Sequence, residues 1–393
     1  MQQVSSAAGV DGVDGARDRR VVFVQALRGI AAMAVVLTHA QVFINGPRFL
    51  DIGDRVFHNA PAGVDLFFVI SGFIMAHTTW RLVATPKAAG VFMAKRIIRL
   101  WPVYAVATAV MFAITRGLPN AAFHPPARAL LGTLAFLPVE PHGTAPFYGY
   151  PILHVGWTLV YEVWFYVLFA ASLLAGRWRW WALGGLFATF LIAIPLAMTG
   201  HIESEAGIGY DFGNYLSIAT NPIVWEFGVG VVIGVLYQRP PSILLRNARV
   251  LTTLAVLAAM LVLWQQGSEV REGHGPLRWG LPAMVLVWSL AMLDRVRTIR
   301  PPRWMIFLGD ISFSLYLFHV LPQMLPRQWP TWIGMQGGGW FVAVIIAGVV
   351  LGYWGYRLLE RGVCEWLRHK LLGRFERPRP PLPANEPVSA LPE

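Results

Sequence analysis

From Val22 onward the chain is a succession of apolar runs, each about 20 residues long, divided by short stretches in which Arg, Pro, Gly and Asp gather. Runs of that length suit helices that cross the hydrocarbon core of a bilayer; barrel strands would show segments of roughly 10 residues alternating in polarity. The pattern predicts an all-α polytopic membrane protein with about ten transmembrane helices, over residues 22–44, 61–80, 97–115, 153–175, 179–199, 221–237, 249–266, 277–293, 304–325 and 338–359. The sixth and eighth runs are short, and polar residues interrupt the ninth. Residues 129–137 are apolar but too few to cross, which predicts an interfacial or re-entrant piece. The run after Arg20 is longer than a signal-peptide core and reads as an uncleaved first span. The tail beyond Arg374 has six prolines between residues 378 and 392 and no apolar period, and reads as disordered.

Composition agrees with this reading. Hydrophobic side chains make up 56% and charged ones 13% of the 393 residues, against roughly 25% charged in a soluble protein. The single cysteine, Cys364, excludes an intrachain disulfide and any cysteine-based metal site. In a soluble chain the net charge of +11 would suggest a nucleic-acid partner. Here the basic residues lie in the short loops, where they report topology and imply no nucleic acid. With the N-terminus in the cytoplasm, 24 Lys and Arg fall in inner segments and seven in outer ones, so both termini are expected to be cytoplasmic. The expected organisation is a tail at 1–20, one ten-span membrane domain at 21–360 and a basic, then Pro-rich, tail at 361–393.

Ionisable residues inside such runs are costly and point to function. In the first run Arg28 and His39 are eleven residues apart, about three full turns, so they share one helix face with a rise of about 16.5 Å between them. The plain alternative is an arginine snorkelling to one interface and a histidine at the other. Arg96 and Arg99, at i and i+3, share a face at the mouth of the third run, an arrangement suited to phosphate or to ordinary anchoring. The second run carries Asp65 near its outer end and the small pair Ser71-Gly72, which lets a helix or a ligand approach closely. The fourth opens with Trp157 and places Glu162 in an aromatic setting, and the ninth places His319 in the outer half with Asp310 near its start. By depth, Arg28, Arg96 and Arg99 belong to the cytoplasmic half, and His39, Asp65, Glu162 and His319 to the outer half. The separation predicts anion binding inside and acid–base chemistry outside.

Five phrases, in order, resemble the signatures of the acyltransferase-3 family of integral membrane acyltransferases: Ala-Leu-Arg28-Gly with His39; Asp65-Leu-Phe-Phe-Val-Ile-Ser71-Gly72-Phe; Arg96-Ile-Ile-Arg99; Gly156-Trp157-Thr-Leu-Val-Tyr-Glu162; and Ser312-Phe-Ser-Leu-Tyr316-Leu-Phe-His319. Within that family the chain looks most like the stand-alone bacterial exopolysaccharide acetyltransferases, although Val160 stands where a polar residue is expected. The resemblance implies a multi-pass protein of the bacterial inner (plasma) membrane that moves an acyl group from cytosolic acyl-CoA, commonly acetyl-CoA, to a hydroxyl of an exported saccharide. It implies His39 as the catalytic residue and Arg28, Arg96 and Arg99 as donor-handling residues, with polysaccharide synthesis or export proteins as partners. No C-terminal hydrolase-like module is expected, since the chain ends about 34 residues after the last predicted span.

On this reading His39 is a general base, with Asp65 and Glu162 as candidate orienters; Ser71 is the candidate for an acyl-enzyme route. Phe123, Phe147, Tyr148 and Tyr150, in the loop at 116–152, could stack on sugar faces or anchor the interface. His58, His124, His142, His154, His201 and His274 show no metal-ligand spacing, so no metal is expected. A transporter or flippase without covalent chemistry also fits ten spans and buried charges, but the two halves of the chain show no internal repeat.

Overall fold

The computed structural model describes residues 21–46, 50–117, 127–140, 142–266, 273–327 and 336–376, and among them there is no strand. Each of the ten apolar runs holds a helix: α1 Val22–Ala40, α2 Gly63–Thr79, α3 Pro86–Gly117, α4 Trp157–Leu173, α5 Arg179–Ala188, α6 Trp225–Gln238, α7 Ala248–Gln266, α8 Gly280–Val296, α9 Arg303–Phe318 and α10 Gly338–Gly355. α5 continues through a π-helical stretch, Thr189–Ala193, to Thr199. The short run at 129–137 contains a helix at Ala127–Leu134. Both predicted tails, as well as Phe123 and His124, lie outside the described residues, apart from the stretch up to 376.

Seven helical stretches among the described residues are long and apolar enough to cross a membrane, and an eighth is a pair, Asn214–Thr220 and Pro222–Gln238, bent by 49° at Asn221. The expectation of ten full crossings goes beyond this. The apolar part of α7 and the whole of α8 are 17 residues each, about 25 Å of helix, which is short of the usual ~20 residues.

Two glycine-lined seams organise the centre of the bundle. α1 and α9 run parallel with their backbones in contact: a Cβ on Gly309 would lie 1.9 Å from the Gln25 carbonyl oxygen, and one on Gly29 would lie 2.7 Å from that of Met305. α2 and α6 are also parallel, because a Cβ on Gly72 would lie 2.0 Å from the Phe227 carbonyl oxygen and one on Gly230 would lie 2.1 Å from that of Val69. Where apolar burial gives little drive for one helix to leave lipid for another, such close approach supplies dispersion contacts instead. The fold is graded accordingly: 72% of the apolar window in Ile52–Thr79 is buried, against 22% in Gly176–Thr199. Exposed Val256, Leu263, Val342, Ile346 and Val350 give α7 and α10 apolar outer surfaces suited to lipid.

Candidate active site

Each seam carries chemistry at one end. Since α1 and α9 are parallel and touch at Gln25 and Gly309, the histidines that close them, 14 and 10 residues further on, are brought together. The His39 and His319 ring centroids are 5.1 Å apart, and His154, from the turn before α4, stands 5.2 Å from His39. Nδ1 of His39 is 2.9 Å from the Val35 carbonyl oxygen, and Nδ1 of His319 is 3.1 Å from that of Leu315. A carbonyl only accepts, so each Nδ1 carries the hydrogen, a tautomer assigned from the network. His319 Nε2 is then an acceptor, and it lies 3.4 Å from His39 Nδ1. His39 Nε2 is left as the basic nitrogen of the ring. His319 is fully buried; it is backed by Gly348 of α10, where a Cβ would come within 3.2 Å of the histidine's own.

His39 and His154 line a chamber whose wall also includes Val64, Phe147, Tyr150, Trp157, His274 and Tyr316. At the opposite end of α1, Arg28, Arg96 and Arg99 line a narrow chamber with Ser71, Glu162, Tyr166 and the apolar Phe67, Phe68, Ile74 and Phe313. The same three arginines form part of a wider basin with Asp310, Glu360, Arg361, Glu365 and Arg368. Val64 and Tyr316 line both the arginine chamber and the histidine chamber. Basin, arginine chamber and histidine chamber are therefore consecutive spaces that share their boundary residues. Tyr316 is fixed at the junction: its hydroxyl donates to the Val155 carbonyl oxygen at 2.9 Å and lies 2.9 Å from Thr158 Oγ1.

The sequence candidates divide between these spaces differently from the expected depths. Glu162 lies in the arginine chamber, where it accepts from Ser71 Oγ at 3.5 Å and from the Tyr166 hydroxyl, and its charge acts on Arg28 and Arg96. The Arg96 guanidinium stands over the rings of Phe92 and Tyr166, at 5.2 and 5.7 Å, and its buried Nε has no hydrogen-bond partner among the described residues. Ser71 faces the same chamber while its neighbour Gly72 admits α6, so the small pair admits a helix and lines a cavity at once.

Asp65 is fully buried and does not meet His39. Its Oδ2 accepts from His274 Nδ1 at 2.7 Å and its Oδ1 from the Gly275 amide at 3.0 Å. Behind it lies Glu226, which the sequence reading passed over. The seam that sets Gly230 against Val69 sets Glu226, four residues earlier, against Asp65, also four residues earlier. An acid inside an apolar run was the available signal. His154, at the very start of the fourth run, gave the same kind of signal in weaker form, whereas His274 stands in an irregular segment that only the fold brings to the chamber. Trp157 lines that chamber, 5.2 Å from His274. Among the described residues no group of three or more His, Cys, Asp or Glu is arranged to hold a metal ion.

The protein is thus a multi-pass helical one with an arginine-lined cavity toward one end of α1 and a histidine-lined cavity toward the other. Comparison with known families supplies the class: the acyltransferase domain matches residues 21–357, and the chain belongs to that family of membrane acyltransferases. Over 305 residues it is 33% identical to the exopolysaccharide production protein ExoZ of Rhizobium meliloti (strain 1021), covering 76% of this chain and 88% of that protein. It is 26% identical over 374 residues to nodulation protein 10 of Rhizobium leguminosarum bv. viciae, covering 88% and 94% of the two chains. A putative acetyltransferase, ORF330 of Acidianus two-tailed virus, is 23% identical over 306 residues, 76% of this chain and 82% of the viral one. No solved structure matches the chain.

Proposed function

We propose that this protein is an O-acyltransferase of the bacterial plasma membrane, which takes an acyl group, acetyl in the first instance, from cytosolic acyl-CoA and gives it to a hydroxyl of an exported saccharide. The observation that carries this reading is the series of three spaces with arginines at one end and His39 at the other. Acyl-CoA has phosphates at one end and a thioester at the other, joined by a slender arm. Arg28, Arg96 and Arg99 bind the phosphate end, since guanidinium groups form paired hydrogen bonds to phosphate oxygens. Glu162 and Glu360 temper the mutual repulsion of these arginines. The arm occupies the arginine chamber, passes Val64 and Tyr316 and presents the thioester to His39. The rise of about 16.5 Å from Arg28 to His39 sets the length this arm must span. The similarity to ExoZ, named for exopolysaccharide production, supports a saccharide acceptor.

In the transfer step, His39 Nε2 takes the proton of an acceptor hydroxyl as its oxygen attacks the thioester carbonyl carbon. The tetrahedral adduct collapses, the carbon–sulfur bond breaks, and the departing thiolate takes the proton back from Nε2, leaving an ester and free CoA. While His39 carries its second proton, its Nδ1–H is held by the Val35 carbonyl and faces His319 Nε2. The orienting role expected of Asp65 or Glu162 thus falls to a backbone carbonyl and a second histidine. Ser71 is engaged with Glu162 in the other chamber, which favours direct transfer over an acyl-serine.

The test is transfer of label from radiolabelled acetyl-CoA to cell-envelope saccharides in inverted membrane vesicles, comparing wild type with His39→Ala at matched expression. Label in saccharide with wild type, lost in the variant, is the expected result. Equal label in both would remove His39 from the chemistry. No label with acetyl-CoA or longer donors would overturn the acyl-CoA reading.

A further inference from the structure

The Asp65–His274 pair takes no part in the transfer step above, yet a buried carboxylate is costly and calls for a reason. Three separate parts of the chain converge to build it: Asp65 from α2, Glu226 from α6, and the 273–279 segment that leads into α8. Gly280 makes room for the arrangement, since a Cβ there would lie 2.4 Å from Glu226 Oε1. Neither Glu226 oxygen meets a hydrogen-bond donor among the described residues. Asp65 then fixes the His274 ring: Nδ1–H donates to the carboxylate, and Nε2 keeps its lone pair as a hydrogen-bond acceptor. No described residue uses that nitrogen, and His274 lines the histidine chamber.

A second feature of the chamber indicates what meets this acceptor. Phe147 and Tyr150 stack with their centroids 4.8 Å apart and 28° between their planes. Tyr150 stands 6.5 Å from His154, the neighbour of His39, and Phe147 stands 6.3 Å from His274. The aromatic pair therefore joins two histidine stations, and Tyr150, half exposed, lines the space between them. A flat molecule with an apolar face and hydroxyls on its rim matches such a surface. Pockets orient their ligands through a few fixed polar groups set in an apolar wall.

We propose that His274, held by Asp65, is the acceptor-recognition residue of the histidine chamber: its Nε2 accepts a hydrogen bond from a sugar hydroxyl other than the one acylated, while the sugar ring lies on Phe147 and Tyr150. The proposal rests on the saccharide-acceptor reading above. His274 sets which hydroxyl reaches His39, and Asp65 acts through it as a positioning residue. With Asp65→Asn the amide cannot accept from both Nδ1–H and the Gly275 amide as the carboxylate does, so the imidazole loses its fixed tautomer and the acceptor lone pair at Nε2.

The experiment uses full-length protein in inverted vesicles, with radiolabelled acetyl-CoA and the envelope oligosaccharide that wild type labels, comparing wild type with His274→Gln, Asp65→Asn and Tyr150→Ala. Acyl-CoA protection against thermal unfolding in detergent establishes that each variant is folded, and the half-exposed Tyr150 provides a variant that leaves the buried cluster intact. The expected result is an acceptor KM raised about tenfold or more in His274→Gln and Asp65→Asn and a smaller rise in Tyr150→Ala, with kcat within about threefold of wild type and the acyl-CoA KM unchanged; a site that hydrogen-bonds a substrate hydroxyl discriminates strongly against its loss. Unchanged acceptor KM in folded His274→Gln overturns the proposal. So does a collapse of kcat at unchanged KM, which would make His274 the base. Failure of wild type to label any saccharide overturns the underlying reading itself and is seen before any variant is compared.

Discussion

The arginine chamber and the histidine chamber are assembled in different ways. Arg96 and Arg99 sit one turn apart on α3, so a helical repeat places two of the three cations, and Arg28 joins them across the chamber from α1. The histidine chamber draws His39 from the end of α1, with His319 of α9 buried behind it, His154 from the turn before α4 and His274 from an irregular segment far along the chain. The difference follows from the chemistry asked of each. A large anion is attracted over several ångströms and tolerates approximate placement of cations. Proton transfer needs donor and acceptor within hydrogen-bond reach and the right tautomer, which only packed surroundings impose.

The comparison yields graded predictions. His39→Ala is expected to lower transfer by about 10²–10⁴-fold, the usual contribution of a general base, while acyl-CoA still protects the protein against thermal unfolding; loss of that protection would place His39 in donor binding. Arg96→Ala is expected to raise the acyl-CoA KM by about 10–100-fold, from the loss of one charge-assisted bond of about 1.5–3 kcal/mol. Arg96→Lys should recover only part of it, because an ammonium cannot form the paired contact; initial rates against acyl-CoA concentration measure both. His319→Gln is expected to lower kcat by about tenfold with both KM values near wild type. An unchanged kcat would show that the Val35 carbonyl orients His39 alone. The smallest effect on chemistry and the clearest on stability is expected for Gly230→Ala. Its Cβ would fall 2.1 Å from the Val69 carbonyl oxygen, which lowers the thermal midpoint in detergent through a strain of about 1–3 kcal/mol. An unshifted midpoint would mean that the α2–α6 seam relaxes freely.

Much of the architecture is legible in the chain. Ten apolar runs gave ten helices, because hydrocarbon forces backbone groups to be satisfied within each segment. Arg28 and His39, and Arg96 and Arg99, could be placed on shared faces because each pair lies on one helix with a fixed repeat. Glu162 shows where such reasoning stops. Its depth along α4 is readable, but whether it joins His39 or the arginines depends on which neighbours face it, and it lines the arginine chamber. Asp65 was equally visible, yet its partner His274 lies 209 positions away in the chain, a distance that no local pattern encodes.

By itself, then, the sequence determined that the protein is helical and membrane-embedded, which residues are costly to bury, and the spacing of those that share a helix; hydropathy and helical periodicity are properties of contiguous segments. Tertiary structure alone decided the pairing of His39 with His319, the commitment of Asp65 to His274, the placement of Glu162 among arginines, and the adjoining of the arginine and histidine chambers at Val64 and Tyr316. Those features arise from helix contacts set by where small residues let two backbones meet, and such contacts join positions that no segment of the chain holds together.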